Sequence, residues 1–125
     1  MSTYGVGLTE GGNLVTATDL STKQFCAVKQ TTTARTVALA STGGEAITGI
    51  LCNTPVAGEA VEVRFSGYTK ALAGTGGFTA GDALQTEAST GKLITKTSTN
   101  TVVAVAIETC AAGEIGLVRV LPTAG

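Results

Sequence analysis

From residue 60 to residue 68 the chain alternates without a break, with Val61, Val63 and Phe65 on one side of an extended backbone and Glu62, Arg64 and Ser66 on the other. Successive side chains of a strand point to opposite faces, so this period of two predicts a strand with one dry face and one wet or contact-making face. Weaker alternation runs through 24–30, where Phe25, Ala27 and Lys29 oppose Cys26 and Val28, and through 35–40, where Val37 and Leu39 share a face. Residues 92–97 alternate weakly, and 83–87, 47–52, 102–107 and 115–121 add short strand-length stretches, the last three strongly apolar. No segment of ten or more residues places apolar side chains at helical spacing. Turn signals separate the strands: Gly43-Gly44, a turn or the hinge to a short helical turn through Glu45 and Ala46; the glycine-rich 67–77; and Ser89-Thr90-Gly91. Many short strands at close intervals predict an all-β fold, a small barrel or sandwich of short antiparallel strands with at most one or two short helical turns.

One unit of this pattern is written twice. Residues 54–64, Thr-Pro-Val-Ala-Gly-Glu-Ala-Val-Glu-Val-Arg, return fifty-five positions later as 109–119, Thr-Cys-Ala-Ala-Gly-Glu-Ile-Gly-Leu-Val-Arg, each copy after an apolar run. The unit reads as strand, tight turn and strand. Glycine at the turn, Gly58 and Gly113, allows a positive φ that a residue with a Cβ adopts only at a cost of about 1 kcal/mol or more. The carboxylates that follow, Glu59 and Glu114, are placed to accept hydrogen bonds from turn amides or to pair with Arg64 and Arg119, five residues on. Thr79-Ala80-Gly81-Asp82 is a third, partial version, so Gly81 and Asp82 join the set of structural turn residues. Glutamates at equivalent turns of a repeated unit mark repeated architecture and not one active site.

The first twenty residues differ. Gly5, Gly7, Gly11 and Gly12 interrupt small apolar clusters and no period is sustained, so 1–20 reads as an extended N-terminal arm on a compact β domain at 21–125. Tyr4, Val6, Leu8, Leu14 and Val15 make this arm more apolar than a solvated tail requires. They are the candidate contact residues toward a partner or a neighbouring subunit.

Composition narrows the function. The length of 125 residues suits one domain, and 43% hydrophobic against 14% charged residues excludes a disordered, charge-driven segment. Eight Lys and Arg scattered among nine carboxylates form no basic stripe, so no nucleic-acid partner is expected. Cys26, Cys52 and Cys110 are an odd set without metal-ligand spacing and read as reduced, buried side chains. No basic-then-apolar leader and no run near the ~20 residues of a membrane span occur, so a soluble protein made in the cytoplasm is expected. With no histidine, imidazole-based catalysis and the commonest metal sites are absent, and neither a phosphate loop nor a dinucleotide fingerprint is present. The expectation is therefore no catalytic residue, no metal and no cofactor. A small β enzyme would need carboxylates or a thiolate gathered in a cleft.

The segments 19–29, 47–60, Thr79-Ala80-Gly81-Asp82 and Gly91-Lys92, in that order and spacing, resemble the small capsid cement, or decoration, proteins of tailed bacteriophages. The resemblance spans residues 19–121. It implies a compact all-β body on the outside of an icosahedral head, with the major capsid protein as partner. It further implies a homo-oligomer, with a trimer favoured, that bridges neighbouring capsid subunits and stabilises the expanded shell. The family supplies no catalytic residues. The alternative is a non-catalytic binding module displayed on a surface, for carbohydrate or host attachment, against which the absence of Trp and the five Tyr and Phe count.

Overall fold

A computed structural model describes residues 14–97 and 100–122 and, before them, the backbone of two strands. Eleven strands follow one another with no helix among the described residues: β1 (Ser2–Tyr4), β2 (Gly7–Glu10), β3 (Val15–Thr16), β4 (Ala27–Gln30), β5 (Thr36–Leu39), β6 (Gly49–Leu51), β7 (Val63–Leu72), β8 (Ala83–Thr86), β9 (Leu93–Thr95), β10 (Ala104–Ala106) and β11 (Ile115–Val120). They lie in the order β3-β5-β4-β6-β7-β11-β10-β8-β9, with β2 on β7 and β1 on β2. Every pairing is antiparallel except β3 with β5. The chain is all-β, as its periodicities predict, and the sheet is mixed and open. Gly43-Gly44 forms a turn, without a helical turn after it.

β7 shows how sequence makes element. Its odd positions Val63 and Ala71 are fully buried, while Tyr68 and Lys70 at even positions face solvent. The two ends of the strand thus sort by the pleat, whereas Phe65, expected on the dry face, is half-exposed where the pairing with β2 shifts register and Gly67 takes a φ of 87°. The parity also holds on β11, where Gly116, Val118 and Val120 are buried and Ile115 and Arg119 are exposed.

The repeat seen in sequence covers far more than the turns. Ile50 pairs with Arg64 and Leu51 with Val63; fifty-five residues on, Val105 pairs with Arg119 and Ala106 with Val118. The two preceding strands repeat with a shift of fifty-six: Val28 opposite Leu39 becomes Leu84 opposite Thr95, and Gln30 opposite Val37 becomes Thr86 opposite Leu93. Val28 opposite Gly49 becomes Leu84 opposite Ala104. The body is therefore two copies of a four-stranded unit, β4 to β7 and β8 to β11. The sheet order reads outward from the β7–β11 pair the same way in both directions, β6-β4-β5 and β10-β8-β9.

Equivalent positions do equivalent packing. Val28, Val37, Leu51, Val61 and Val63 make one core with Leu20, and Leu14 and Leu39 lie against it. Their counterparts Leu84, Leu93, Ala106 and Val118 sit in the larger core with Phe78, which also takes in Ala27, Ile47 and Ile50 from the first unit. β4 and β6 consequently bury both faces. Residues 14–20 are packed into this body: Leu20 and Thr16 are buried, the Leu20 amide donates to the Pro55 carbonyl at 2.9 Å, and the Val15 amide donates to the Arg35 carbonyl at 2.8 Å.

The counterpart of Val61 is Gly116, and the space of the missing side chain is filled by the Cys110 sulfur, which a Cβ at Gly116 would overlap. Gly116→Ala is accordingly expected to lower the unfolding free energy by about 2–3 kcal/mol through overpacking. Cys110→Ala alone removes one buried atom, and in the double variant the two changes offset each other, so urea unfolding should show a double-mutant cost well below the sum. Additive costs would show that the two side chains do not compete for one space.

Candidate functional site

Four turns share one device. In Thr42–Glu45, Val56–Glu59, Thr79–Asp82 and Ala111–Glu114 the fourth amide donates to the first carbonyl, at 3.4, 3.0, 2.9 and 3.1 Å. The fourth side chain reaches back and accepts the first amide, at 2.7, 2.9, 2.9 and 2.8 Å. The third residue is always glycine at positive φ, 75°, 85°, 92° and 83° for Gly44, Gly58, Gly81 and Gly113. Positive φ at that position is what a type II turn requires, and the returning carboxylate satisfies an amide that the strands leave unpaired. Gly58, Glu59, Gly81, Asp82, Gly113 and Glu114 thus sit where the sequence puts them, at turns. Glu45 belongs with them, and the pattern Thr-Gly-Gly-Glu carried the signal.

The glutamates do not pair with the arginines five residues on. Glu59 and Glu114 are engaged by their own turns, and Arg64 Nη1 donates to the Tyr68 carbonyl at 2.9 Å. Among the described residues the ion pair is Lys29 with Glu45, at 3.3 Å. A strand between turn and arginine carries the guanidinium away from the turn it follows.

The titratable groups hold structure. Glu87 accepts the Thr90 hydroxyl at 2.6 Å and the Thr75 amide at 2.8 Å, bonds that hold its carboxyl below the ordinary range. For Glu45, burial pushes upward, but the amides of Thr42 and Ser41 and the Lys29 ammonium together lower its pKa. All three thiols are displaced upward, in each case chiefly by burial, which keeps them protonated at neutral pH. That is the reverse of an activated nucleophile. Cys52 is the half-exposed one, with its sulfur 3.9 Å from the Thr69 hydroxyl oxygen. Among the described residues no three His, Cys, Asp or Glu gather as metal ligands.

What the molecule offers outward is surface. Of the candidate contact residues, Tyr4 lies in β1 and Leu8 in β2, where the backbone alone is described, and Val6 lies outside the described residues. Leu14 is half-buried against the first core, and Val15 is half-buried in β3, opposite Thr36. Among the described residues the large apolar side chains left exposed are Val56 (45%), Tyr68 (41%), Ile107 (41%) and Ile115 (51%). Tyr68 and Ile115 share the outer face of the β7–β11 ribbon. Sequence reading passed over them because Ile107 and Ile115 lie in apolar runs that resemble buried strands.

A family model described as phage cement protein matches residues 10–121. No curated protein matches in sequence. Five solved chains match in structure; one is the head fiber gp8.5 N base of bacteriophage phi29, with a TM-score of 0.67 and 15% identity over 90% of this chain and 94% of that one. That likeness is one of fold.

Two outcomes follow from the turns and their carboxylates. A Cβ at Gly58, Gly81 or Gly113 would meet no atom within 4 Å, so alanine there tests conformation alone. Each substitution is expected to cost about 1–2 kcal/mol, read from shifted urea midpoints at unchanged m-value; unchanged midpoints would show the positive φ to be dispensable. The lowered carboxyls of Glu45 and Glu87 contribute stability above their usual value of 4.5, and it is lost as pH falls through the folded values. Unfolding free energy should therefore decline below about pH 5, and Glu87→Gln should flatten the decline; an identical slope in that variant would remove Glu87 from the account.

Proposed function

The chain belongs to the phage cement proteins, and we propose on that premise that it binds the outer surface of a phage head and bridges neighbouring major capsid subunits. The match over residues 10–121, nearly the whole body, carries this reading. The geometry supports it: the described thiols are held protonated chiefly by burial, Glu45, Glu59, Asp82 and Glu114 are engaged by turns, and Tyr68, Ile107 and Ile115 are exposed on one sheet face. The protein acts as structure and not as an enzyme, on the virion exterior, after synthesis in the host cytoplasm. It needs no cofactor, nucleic acid or membrane.

The mechanism is multivalent contact. A single small patch binds weakly, whereas an oligomer held at several subunits gains because each further contact is effectively intramolecular. A trimer seated where three capsid subunits meet fits that logic, and an N-terminal arm offering Tyr4, Val6 and Leu8 as contact residues adds area at the cost of ordering it, whereas Leu14 and Val15 are already half-buried in the body. The expanded shell is stabilised against the pressure of packaged DNA because each bridge must break before neighbouring subunits separate.

Purified protein mixed with expanded heads that lack it should co-sediment at about micromolar concentration and raise the temperature at which the heads open. A variant lacking residues 1–10 keeps every described member of both cores, so it should unfold cooperatively yet be retained less well. Full-length protein left in the supernatant would overturn the reading.

A further inference from the structure

The two units are built alike but covered differently. In the first, Ala27 and Ile50 are fully buried by the second unit of the same chain. Their counterparts Ala83 and Val105 are half-exposed, and Ile107, counterpart of the half-buried Cys52, is exposed. Strand register extends this open face: Arg119 lies opposite Tyr68, Leu117 opposite Lys70 and Ile115 opposite Leu72. The result is an apolar patch of Tyr68, Ile107, Ile115 and Leu117 carrying two cations, Lys70 and Arg119. Adjacent carboxylates do not neutralise it by pairing there, since Glu108 accepts the Leu117 amide at 2.7 Å and Glu114 the Ala111 amide at 2.8 Å.

A complementary feature stands on the same chain. The fourth exposed apolar side chain, Val56, tips the β6–β7 turn, with exposed Glu59 and Glu62 beside it. It is an apolar knob on which Glu59 accepts the Val56 amide and Glu62 is the carboxylate not engaged by the turn, opposite in charge to Lys70 of the patch. Among the described residues neither Lys70 nor Arg119 forms an ion pair with Glu59 or Glu62 of its own chain, where the ion pair is Lys29 with Glu45.

We propose that the outer face of β7, β10 and β11 receives the Val56 turn of a second copy, head to tail. The first unit shows that this face is made to be covered by the chain's own kind of surface, and the charges select which part of the second copy covers it. A head-to-tail contact uses two different patches, so a ring forms when its rotation closes. The proposal rests on the cement reading only for where such an assembly sits.

The test is sedimentation of the free protein, without heads. The wild type should associate, and Lys70→Glu or Glu62→Lys should each weaken self-association about tenfold or more. The variant carrying both reversals should associate again, because each reversed patch then meets a reversed turn. Both side chains are exposed, so unfolding midpoints near that of the wild type confirm intact folds. A monomeric wild type at about 100 μM, far above the dissociation constant of a specific contact, would overturn the proposal. So would association indifferent to the single reversals or unrestored in the double variant. If Lys70→Glu keeps its mass but no longer sediments with heads, the face belongs to the shell: the inter-copy contact fails and the cement reading stands.

Discussion

The antiparallel ladder between β7 and β11 is the constraint on which the rest of the structure depends. Six consecutive pairs, from Ile115 opposite Leu72 to Val120 opposite Gly67, join the last strand of each repeated unit. Because the pairing has a period of two, its register decides which face of both units turns inward. A slip of one residue would turn one of the two strands over, exposing Val118 and burying Arg119 or exposing Ala71 and burying Lys70, an exchange that no small domain tolerates. The same register places Tyr68, Leu117 and Ile115 together on the outer side.

Once that ladder is set, glycine and the returning carboxylates fix where each strand reverses. The four acid-capped turns differ in their first two residues but keep the glycine and the acid. That combination supplies the positive φ and an acceptor for the first amide in a turn of four residues. Turns so short leave little slack, and the two copies of the unit keep identical hairpin registers. Phe25 takes the place equivalent to Gly81, at a φ of 70° against 92°, with its amide on the Leu51 carbonyl as the Gly81 amide is on that of Ala106. A side chain accepts that conformation only when bonds on both sides over-determine it, and the Phe25 carbonyl is also held, by the Leu72 amide at 3.1 Å.

The sequence showed the all-β class, the hairpin repeat and three of the acid-capped turns, because each is local: alternation over nine residues, or glycine followed by an acid. The larger duplication stayed hidden because its first two strands share almost no residue identity. Val28 and Leu84, or Val37 and Leu93, have in common only that they are apolar and inward. The arginine partners expected for Glu59 and Glu114 failed for a related reason, since spacing along the chain ignores that a strand carries its side chains out of reach of the turn behind it. Leu20 could not be told from an arm residue by periodicity, because its burial depends on the β6–β7 turn, thirty-five residues ahead, whose Pro55 carbonyl takes its amide.

Duplication also explains how two like units come to have distinct surfaces. Two identical units meeting symmetrically would expose or bury the same face twice. Here the outer face of the first unit packs on the second unit's core, while residues 14–20 close the first unit's inner face. Among the described residues, the outer face of the second unit, with β7 beside it, keeps Tyr68, Ile107 and Ile115 exposed. Burial of such a face would contribute roughly 25 cal/mol per Å² of apolar area, so the asymmetry between two like halves is what makes the proposed contact favourable on one unit and not on the other.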